Sequence, residues 1–390
     1  MRAWAEINLD NLSHNISNIK KKVSGGAKLM VVIKADGYGH GFEEVALTAL
    51  KNGADYLAVA TADEAMQIRN KGIDAPLLIL GPVWEEDYET AILNDITLTV
   101  FDFLVAEKIS EVANKIGKTA KIHVKVDTGM SRIGYVTTLD SKEKEDEIAD
   151  EIVKISKLSN ICLEGIFTHF AKADAPKSDF TDIQFSRFIS LCNLIEEKGV
   201  KIPLRHCCNS AGIIEYPKYH LDMVRSGIIT YGCAPSDECD MTKIDLKPVM
   251  QLKSKITYLK KISANTPISY GGTYESEDEE VVATFGIGYA DGYMRILSNK
   301  ASVIIGGEKA KLVGRVCMDQ TMARVSGIKN IKIGDEVILF GTDGNNTITV
   351  DSIALLAGTI NYEVLSVVGK RVPRVYIKGG KVEKVLNYLV

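Results

Sequence analysis

The segment VVIKADGYGHG ends an apolar run on a lysine, Lys34, where a buried strand would normally carry another aliphatic side chain. An ammonium group in that position loses hydration unless it is paired or converted. The same desolvation lowers a lysine's pKa and makes it nucleophilic toward carbonyls, which is the chemistry of a Schiff-base lysine. Gly37, Gly39 and Gly41 follow at once and would let the backbone pass close to a ligand. By residue type alone, Lys34 reads equally well as a strand-end lysine whose head reaches solvent.

The elements that must position this lysine alternate along the first two-thirds of the chain. Eight short apolar runs, KLMVVIK, DYLAVA, PLLIL, ITLTV, KIHVKV, ICLEGIF, LRHCCN and LDMVRSG, are separated by amphipathic stretches. Phe42, Val45, Ala46, Ala49 and Leu50 are spaced as one helix face, as are Leu12, Ile16, Ile19 and Val23 behind Asp10 as an N-cap. Phe180 to Glu197 repeats the pattern, and SKEKEDEIADEIVKI reads as an outer helix with a solvated charged face. Eight strands alternating with helices predict a (β/α)₈ barrel, with chemistry at the C-terminal ends of the strands. A doubly wound open sheet remains the competing reading, because periodicity does not count sheet closure.

Beyond Asp237 helical periodicity fades. VVATFGIGYA, ASVIIGG, AKLVGRV, DEVILFG and TITVDS read as strands between glycine and asparagine turns. The expected organisation is an α/β barrel over residues 10–237 and a mainly β domain over 238–390. Residues 2–9 are able to pack with the second domain as a strand.

The 390 residues are enough for two full cores, and the formal charge of −4 forces no polyanion-binding surface. Nucleic acid is not expected as the main partner. The start MRAWAEINLD lacks the apolar core of a signal peptide, and no stretch reaches the roughly 18 apolar residues of a membrane span. The seven cysteines show no CxxC spacing, which fits buried thiols in a reduced cytoplasmic protein better than disulfides or zinc. No metal site is expected.

VVIKADGYGHG resembles the cofactor-lysine motif of alanine racemases, enzymes that use pyridoxal 5′-phosphate (PLP). KVDTGMSRIG, FTHFAKAD, CCNSAG, LDMVRSGIITYGCAPS, ISYGGTY, GIGYADGY, GRVCMDQ, INYEV and RVPRVY resemble that family's other landmarks, in the same order, up to Arg374. The resemblance runs from the first residues to Arg374, nearly the whole chain. The resemblance implies a PLP-binding barrel followed by a β domain, assembled as a homodimer with shared active sites.

It also implies roles for particular residues. Lys34 matches the lysine that carries the cofactor and returns a proton to one face of the substrate. Tyr270 matches the opposite base; a phenol titrates near 10, so the role needs positive charge or hydrogen bonds nearby. His169 and Arg225 match the family's residues for that network. Arg225 would face the pyridine nitrogen and, being unable to give up its proton readily, would leave that nitrogen unprotonated. Taken alone, Tyr270 reads as a turn-flanking aromatic and His169 as a core histidine. Ser210, the backbone at Gly227 and Ile228, and the hydroxyls of Tyr38 and Tyr362 match phosphate contacts, with Asn209 lining the pocket. Arg132 matches the contact to the cofactor's phenolic oxygen and the substrate carboxylate. Lys125 matches a lysine that many members carry as a carbamate (N6-carboxylysine), whose anionic head would hold Arg132. The common glycine after Met130 is Ser131 here, which leaves the local backbone open. Met318 and Asp319 match the turn that receives the substrate carboxylate, and Tyr289 matches a tyrosine narrowing the entrance.

The implied activity is interconversion of L- and D-alanine by two bases, supplying D-alanine for peptidoglycan. Racemisation of serine or another amino acid on the same framework is the alternative, followed by a non-catalytic PLP-binding protein. A PLP decarboxylase of this barrel type would instead pair the ring nitrogen with a carboxylate. Without the resemblance, a sugar-phosphate barrel enzyme would be the reading.

Overall fold

The computed structural model describes residues 1–137, 141–175 and 177–390. Strand β1 (Ala3–Asn8) opens the chain and is followed by β2 (Lys28–Val32), β3 (Tyr56–Val59), β4 (Leu77–Ile79) and β5 (Leu98–Val100). Next come β6 (Ala120–Asp127), the short β7 (Tyr135–Val136), β8 (Ile161–Phe167), β9 (Leu204–His206) and β10 (Met223–Ser226). Parallel ladders join β10–β2–β3–β4 and β5–β6–β8–β9. A parallel bridge from Leu78 to Thr97 links β4 to β5. Backbone bonds from Asp222 N to Arg205 O (3.1 Å) and Arg225 N to Cys208 O (3.0 Å) link β9 to β10. Eight parallel strands therefore close into a barrel, and the open-sheet reading falls away.

The apolar runs form strands because both of their faces are covered, as parallel sheets require; β3, β4 and β5 are buried throughout. Their helices cover them with the expected faces. Helix Phe42–Lys51 buries Val45, Ala46 and Ala49. Helix Phe180–Glu197 buries Phe188, Leu191, Cys192 and Ile195. Helix Lys142–Ser156 buries Ala149, Ile152, Val153 and Ile155 and turns its charged front outward. The expected Asp10 cap is corrected: helix Leu9–Lys22 begins earlier, Asn8 Oδ1 accepts from Asn11 N (2.8 Å), and Asp10 Oδ2 accepts from Gly379 N (2.7 Å). Among the described residues no helix is long and apolar enough to cross a membrane.

By backbone proximity the chain divides into two units, Leu12–Gly37 with Phe42–Lys247, and Met1–Asn11 with Tyr38–Gly41 and Pro248–Val390. The division falls at Lys247/Pro248 rather than at 237/238. Residues 238–247 are tied back to the barrel unit: Asp240 N and Lys243 Nζ bond to Glu215, and Lys247 N donates to Asn15 Oδ1 (2.7 Å).

In the second unit β11 (Met250–Ile262) pairs antiparallel with β1, from Ala3 opposite Ser254 to Ile7 opposite Met250. β12 (Pro267–Ile268) and β13 (Tyr274–Glu275) form a separate two-stranded sheet, while β14 (Glu280–Phe285), β15 (Ser302–Ile305), β16 (Glu308–Lys311) and β17 (Thr321–Arg324) extend the sheet of β11. The hairpin of β18 (Glu336–Asp343) and β19 (Asn346–Ile348) turns at the expected GTDGNNT loop. β20 (Arg374–Lys378) runs parallel to β1 and antiparallel to β21 (Lys381–Leu386). Residues 38–41 belong here because Arg374 Nε donates to Gly39 O (2.8 Å) and the Tyr376 hydroxyl to His40 O (3.1 Å).

Candidate active site at the barrel mouth

Lys34 follows β2 by one residue and opens a turn in which Ala35, Asp36, Gly37 and Tyr38 all have φ between 51° and 61°. Each non-glycine residue in that left-handed conformation costs about 1–2 kcal/mol, so the turn must be held. Gly37 N donates to Ile33 O (2.8 Å), and Phe42 N donates to Asp36 Oδ1 (3.0 Å). Glu64 accepts from Ala35 N (2.6 Å) and Ala60 N (2.8 Å). Glu64 was not a sequence candidate, since nothing in its surroundings on helix Ala62–Asn70 marks it as reaching across to β2. Burial of Lys34, helped by the Arg132 guanidinium and opposed by Glu64, lowers its pKa from the usual lysine value. Lys34 is thus predisposed to be a nucleophilic amine.

β10 lies beside β2 and carries Arg225, which is fully enclosed. Its Nη1 donates to His206 Nδ1 (3.0 Å) and His206 O (3.1 Å). Its Nη2 donates to Thr168 O (2.8 Å), Cys207 O (3.1 Å) and His169 Nδ1 (3.3 Å). None of these acceptors is a carboxylate, and Nε takes no part in the five bonds. Burial draws the guanidinium's pKa down to about 10, still well above neutrality. Burial first, and then the charges of Arg225, Arg132, Lys125 and Lys34, push the His169 pKa well below the usual histidine value. The residue that touches Arg225 is therefore a neutral imidazole at physiological pH.

Past β9, Asn209 caps the short helix Ser210–Glu215 by accepting from Gly212 N (3.0 Å). Ser210 Oγ accepts from Gly227 N (3.0 Å), so the Ser210 hydroxyl and the backbone that starts the 3₁₀ turn Ile228–Tyr231 stand side by side. Short hydroxyls and helix-start N–H groups suit an oxyanion.

β6 supplies Lys125, buried in the barrel, with Nζ donating to Val126 O (2.6 Å). Burial is the main cause that brings its pKa down to about 7, with Arg225 and Arg132 acting the same way and Asp127 opposing. Asp127 gathers the following loop, accepting from Gly129 N (2.9 Å), Ser131 N (3.0 Å) and Arg132 N (3.0 Å). Ser131 has φ 56°, the conformation that glycine adopts freely. The serine departure therefore keeps the backbone shape at a cost of about 1 kcal/mol, offset by the Asp127 bonds.

The remaining candidates lie in the second unit. Tyr38 and Tyr362 have ring centroids 6.3 Å apart, with Tyr362 on helix Asn361–Ser366. Tyr270 opens the turn Tyr270–Gly272 and is 71% exposed; Tyr289 and Met318 are exposed as well. Tyr289 N donates to Cys317 O (3.0 Å) and Ala290 N to Met318 O (3.1 Å), which lashes the two loops together. Buried Asp291, missed from the sequence, clamps them further: it pairs with Arg2 (2.6 Å) and lies near Arg371, which itself binds Asp319 (2.7 Å). Lys34, Lys125, Arg132, His169, Asn209, Ser210, Arg225, Gly227 and Ile228 thus belong to the barrel unit. Tyr38, Tyr270, Tyr289, Met318, Asp319 and Tyr362 belong to the β unit.

Comparison with known proteins places these features in a family. Residues 7–235 match the family model for the alanine racemase N-terminal domain, and residues 249–376 that for the C-terminal domain. The alanine racemase of Clostridium tetani is 47% identical over 387 residues, covering 99% of this chain and 98% of that protein. That of Desulforamulus reducens is 47% identical over 374 residues, covering 96% and 98%. Among solved structures, the alanine racemase of Clostridium difficile superposes with a TM-score of 0.94 at 44% identity, covering 100% of this chain and 99% of that one. An alanine racemase from Bacillus anthracis with bound L-Ala-P gives 0.92 at 35% identity, covering 100% and 98%.

Proposed function

This chain belongs to the alanine racemase family, and from that premise we propose that it is a PLP-dependent enzyme interconverting L- and D-alanine. The donor set at the barrel mouth fits the cofactor: an amine of lowered pKa at Lys34, a short hydroxyl beside helix-start N–H groups at Ser210, Gly227 and Ile228, and a guanidinium at Arg225. Lys34 would carry the cofactor, Arg225 would hold its ring nitrogen, and Arg132 its phenolic oxygen. Ser210, Gly227, Ile228, Tyr38 and Tyr362 would hold the phosphate, with His169 and Asn209 lining the pocket. When bound, PLP supplies the electron withdrawal that acidifies the α-hydrogen of an amino acid.

The observation that carries this reading is that Arg225 is held by carbonyls and imidazoles, with no carboxylate acceptor among the described residues. With PLP bound, the Arg225 guanidinium would offer its ring nitrogen no readily released proton, which would favour reversible α-deprotonation over deeper electron withdrawal. Lys34 Nζ then takes or returns the proton on one face. On the other face the same work falls to Tyr270 of the partner subunit in a homodimer, whose exposure within its own unit supports a role outside it. Arg132 and the Met318 backbone N–H would orient the substrate carboxylate, with Asp319 in the same turn. Tyr289 and Tyr362 would crowd side chains longer than a methyl group. Seven cysteines with no disulfide among the described residues support a reducing, cytoplasmic setting.

Purified protein incubated with L-alanine should accumulate D-alanine when PLP is present. Absence of turnover both with and without added PLP would overturn the reading.

Lys125 is proposed as the carbamate-bearing lysine, because an amine with a pKa of about 7 has a large uncharged fraction, about half at neutral pH, able to add carbon dioxide. The resulting anion would then serve Arg132 as a charge-assisted partner. Protein equilibrated with ¹³C-bicarbonate should show a carbamate carbon resonance that Lys125→Met abolishes. A resonance that survives that substitution would place the group elsewhere.

A further inference from the structure

Glu164 sits in the middle of the apolar run ICLEGIF, where strand alternation gives no reason for a carboxylate. The register of β8 against β6 shifts there: Ile122 lies opposite Leu163, but His123 lies opposite Gly165, leaving Glu164 as the extra residue of a bulge. Bulges re-aim side chains. This one brings Glu164 Oε2 to 3.2 Å from His123 Nε2, and Gly165 keeps the space clear, since a side chain there would press on the His123 ring. His123 Nδ1 lies 2.9 Å from His206 Nε2, and His206 Nδ1 is 3.0 Å from Arg225 Nη1. Both imidazoles are fully buried, and Phe167 stacks on His206 with ring centroids 4.9 Å apart.

The proton positions along this chain follow from the chemistry of its two ends. Arginine only donates, so His206 Nδ1 must accept and its proton must be on Nε2. That proton points at His123 Nδ1, which must accept in turn, so His123 also carries its proton on Nε2. That proton needs an acceptor, and the carboxylate is an unambiguous one. Every N–H then runs the same way, from Arg225 at the mouth to Glu164 further down the barrel.

We propose that Glu164 is a positioning residue for the racemisation reaction: it terminates a one-way hydrogen-bond chain that locks His123 and His206 as Nε2–H tautomers and supplies the counter-charge for Arg225. The structure supports this charge pattern. Burial drives both imidazole pKa values down, so the histidines stay neutral. Burial works against the Glu164 carboxylate, but hydrogen bonds from His123, Tyr56 and Thr97 outweigh it and hold its pKa at about 2. Glu164 also accepts from the Tyr56 hydroxyl (2.6 Å) and from the Thr97 hydroxyl (3.1 Å), so the competing role is a strap between strands.

The link to catalysis rests on the racemase reading, but the tautomers can be tested without it. Holoprotein labelled with ¹⁵N-histidine, its signals assigned by single substitutions, should show protonated Nε2 and bare Nδ1 for both His123 and His206 at pH 7. A proton on Nδ1 of either ring, or a doubly protonated ring, overturns the chain. Glu164→Gln keeps an acceptor oxygen but removes the charge, whereas Tyr56→Phe removes the shorter of the two strap bonds and leaves the chain intact. Glu164→Gln should lower kcat about tenfold with KM changed less than about twofold, while Tyr56→Phe stays near wild type. Equal losses in the two variants, or none in Glu164→Gln, make Glu164 a strap and refute the proposal. If the wild-type holoprotein turns over no alanine, the racemase reading falls and the tautomer pattern still decides the chain. Should Glu164→Gln fail to fold, the wild-type spectrum decides it as well.

Discussion

Lys34→Ala protein supplied with PLP should racemise alanine at least about 10³-fold more slowly than wild type, because on the proposed assignment both the cofactor attachment and one of two proton carriers are lost. The alanine side chain still fits a strand end, so folding should be preserved, and circular dichroism serves as the control. The attachment itself can be located. Borohydride reduction of the wild-type holoprotein should fix the pyridoxyl group on Lys34, as read by peptide mapping. The informative competitor is Lys125, the other barrel lysine whose pKa burial lowers. A pyridoxyl group on Lys125 would overturn the assignment, since it would mean that a low pKa, rather than position at the end of β2, selects the nucleophile.

The second large effect concerns Tyr270. Tyr270→Phe retains the ring and loses only the group that carries a proton. Removal of the α-hydrogen from L-alanine should fall about 10²-fold or more, and removal from D-alanine much less, because on the proposed assignment Lys34 serves the other face. Deuterium wash-in measured separately from each enantiomer reads the asymmetry; equal losses would make Tyr270 structural. The same residue tests the shared site. In a dimer of one Lys34→Ala chain and one Tyr270→Phe chain, one site collects both lesions and the other keeps both native residues. With random pairing about half the dimers are mixed, so roughly a quarter of wild-type activity should return. If both bases came from one chain, verified mixed dimers would show no recovery.

The barrel was legible because most of its strands are short apolar runs largely buried on both faces, and the helices that cover them show buried faces at helical spacing. Lys34 stood out for a related reason, as a charged residue ending such a run, but residue type alone left a strand-end lysine reaching solvent equally open, and the motif around it carried the assignment. The capping of the first helix was misread because Asn8 and Asp10 are both good caps, and only the backbone path decides between them. Glu64 and Asp291 left no local trace, since their donors and ionic partners come from other elements. Glu164 did leave one, a carboxylate in an apolar strand, but its meaning depends on a bulge that pattern reading does not see.

The amino-acid sequence by itself determined the strand and helix order, the lysine that ends β2, the arginine within β10 and the β-rich texture that follows, because each depends on contacts between near neighbours in the chain. Tertiary structure decided the rest. Ala35, Asp36, Tyr38 and Ser131 adopt positive φ against their own preference, because Glu64, Asp127 and the Gly37–Ile33 bond hold the turns from outside. Residues 38–41 joined the β unit because Arg374 and Tyr376, more than 300 positions away, take up their carbonyls. The protons of His123 and His206 were set only when strand register brought an obligatory donor and a carboxylate to opposite ends of one hydrogen-bond chain. Local propensity is fixed by neighbours in sequence, whereas hydrogen-bond direction and backbone strain are settled by partners that only folding supplies.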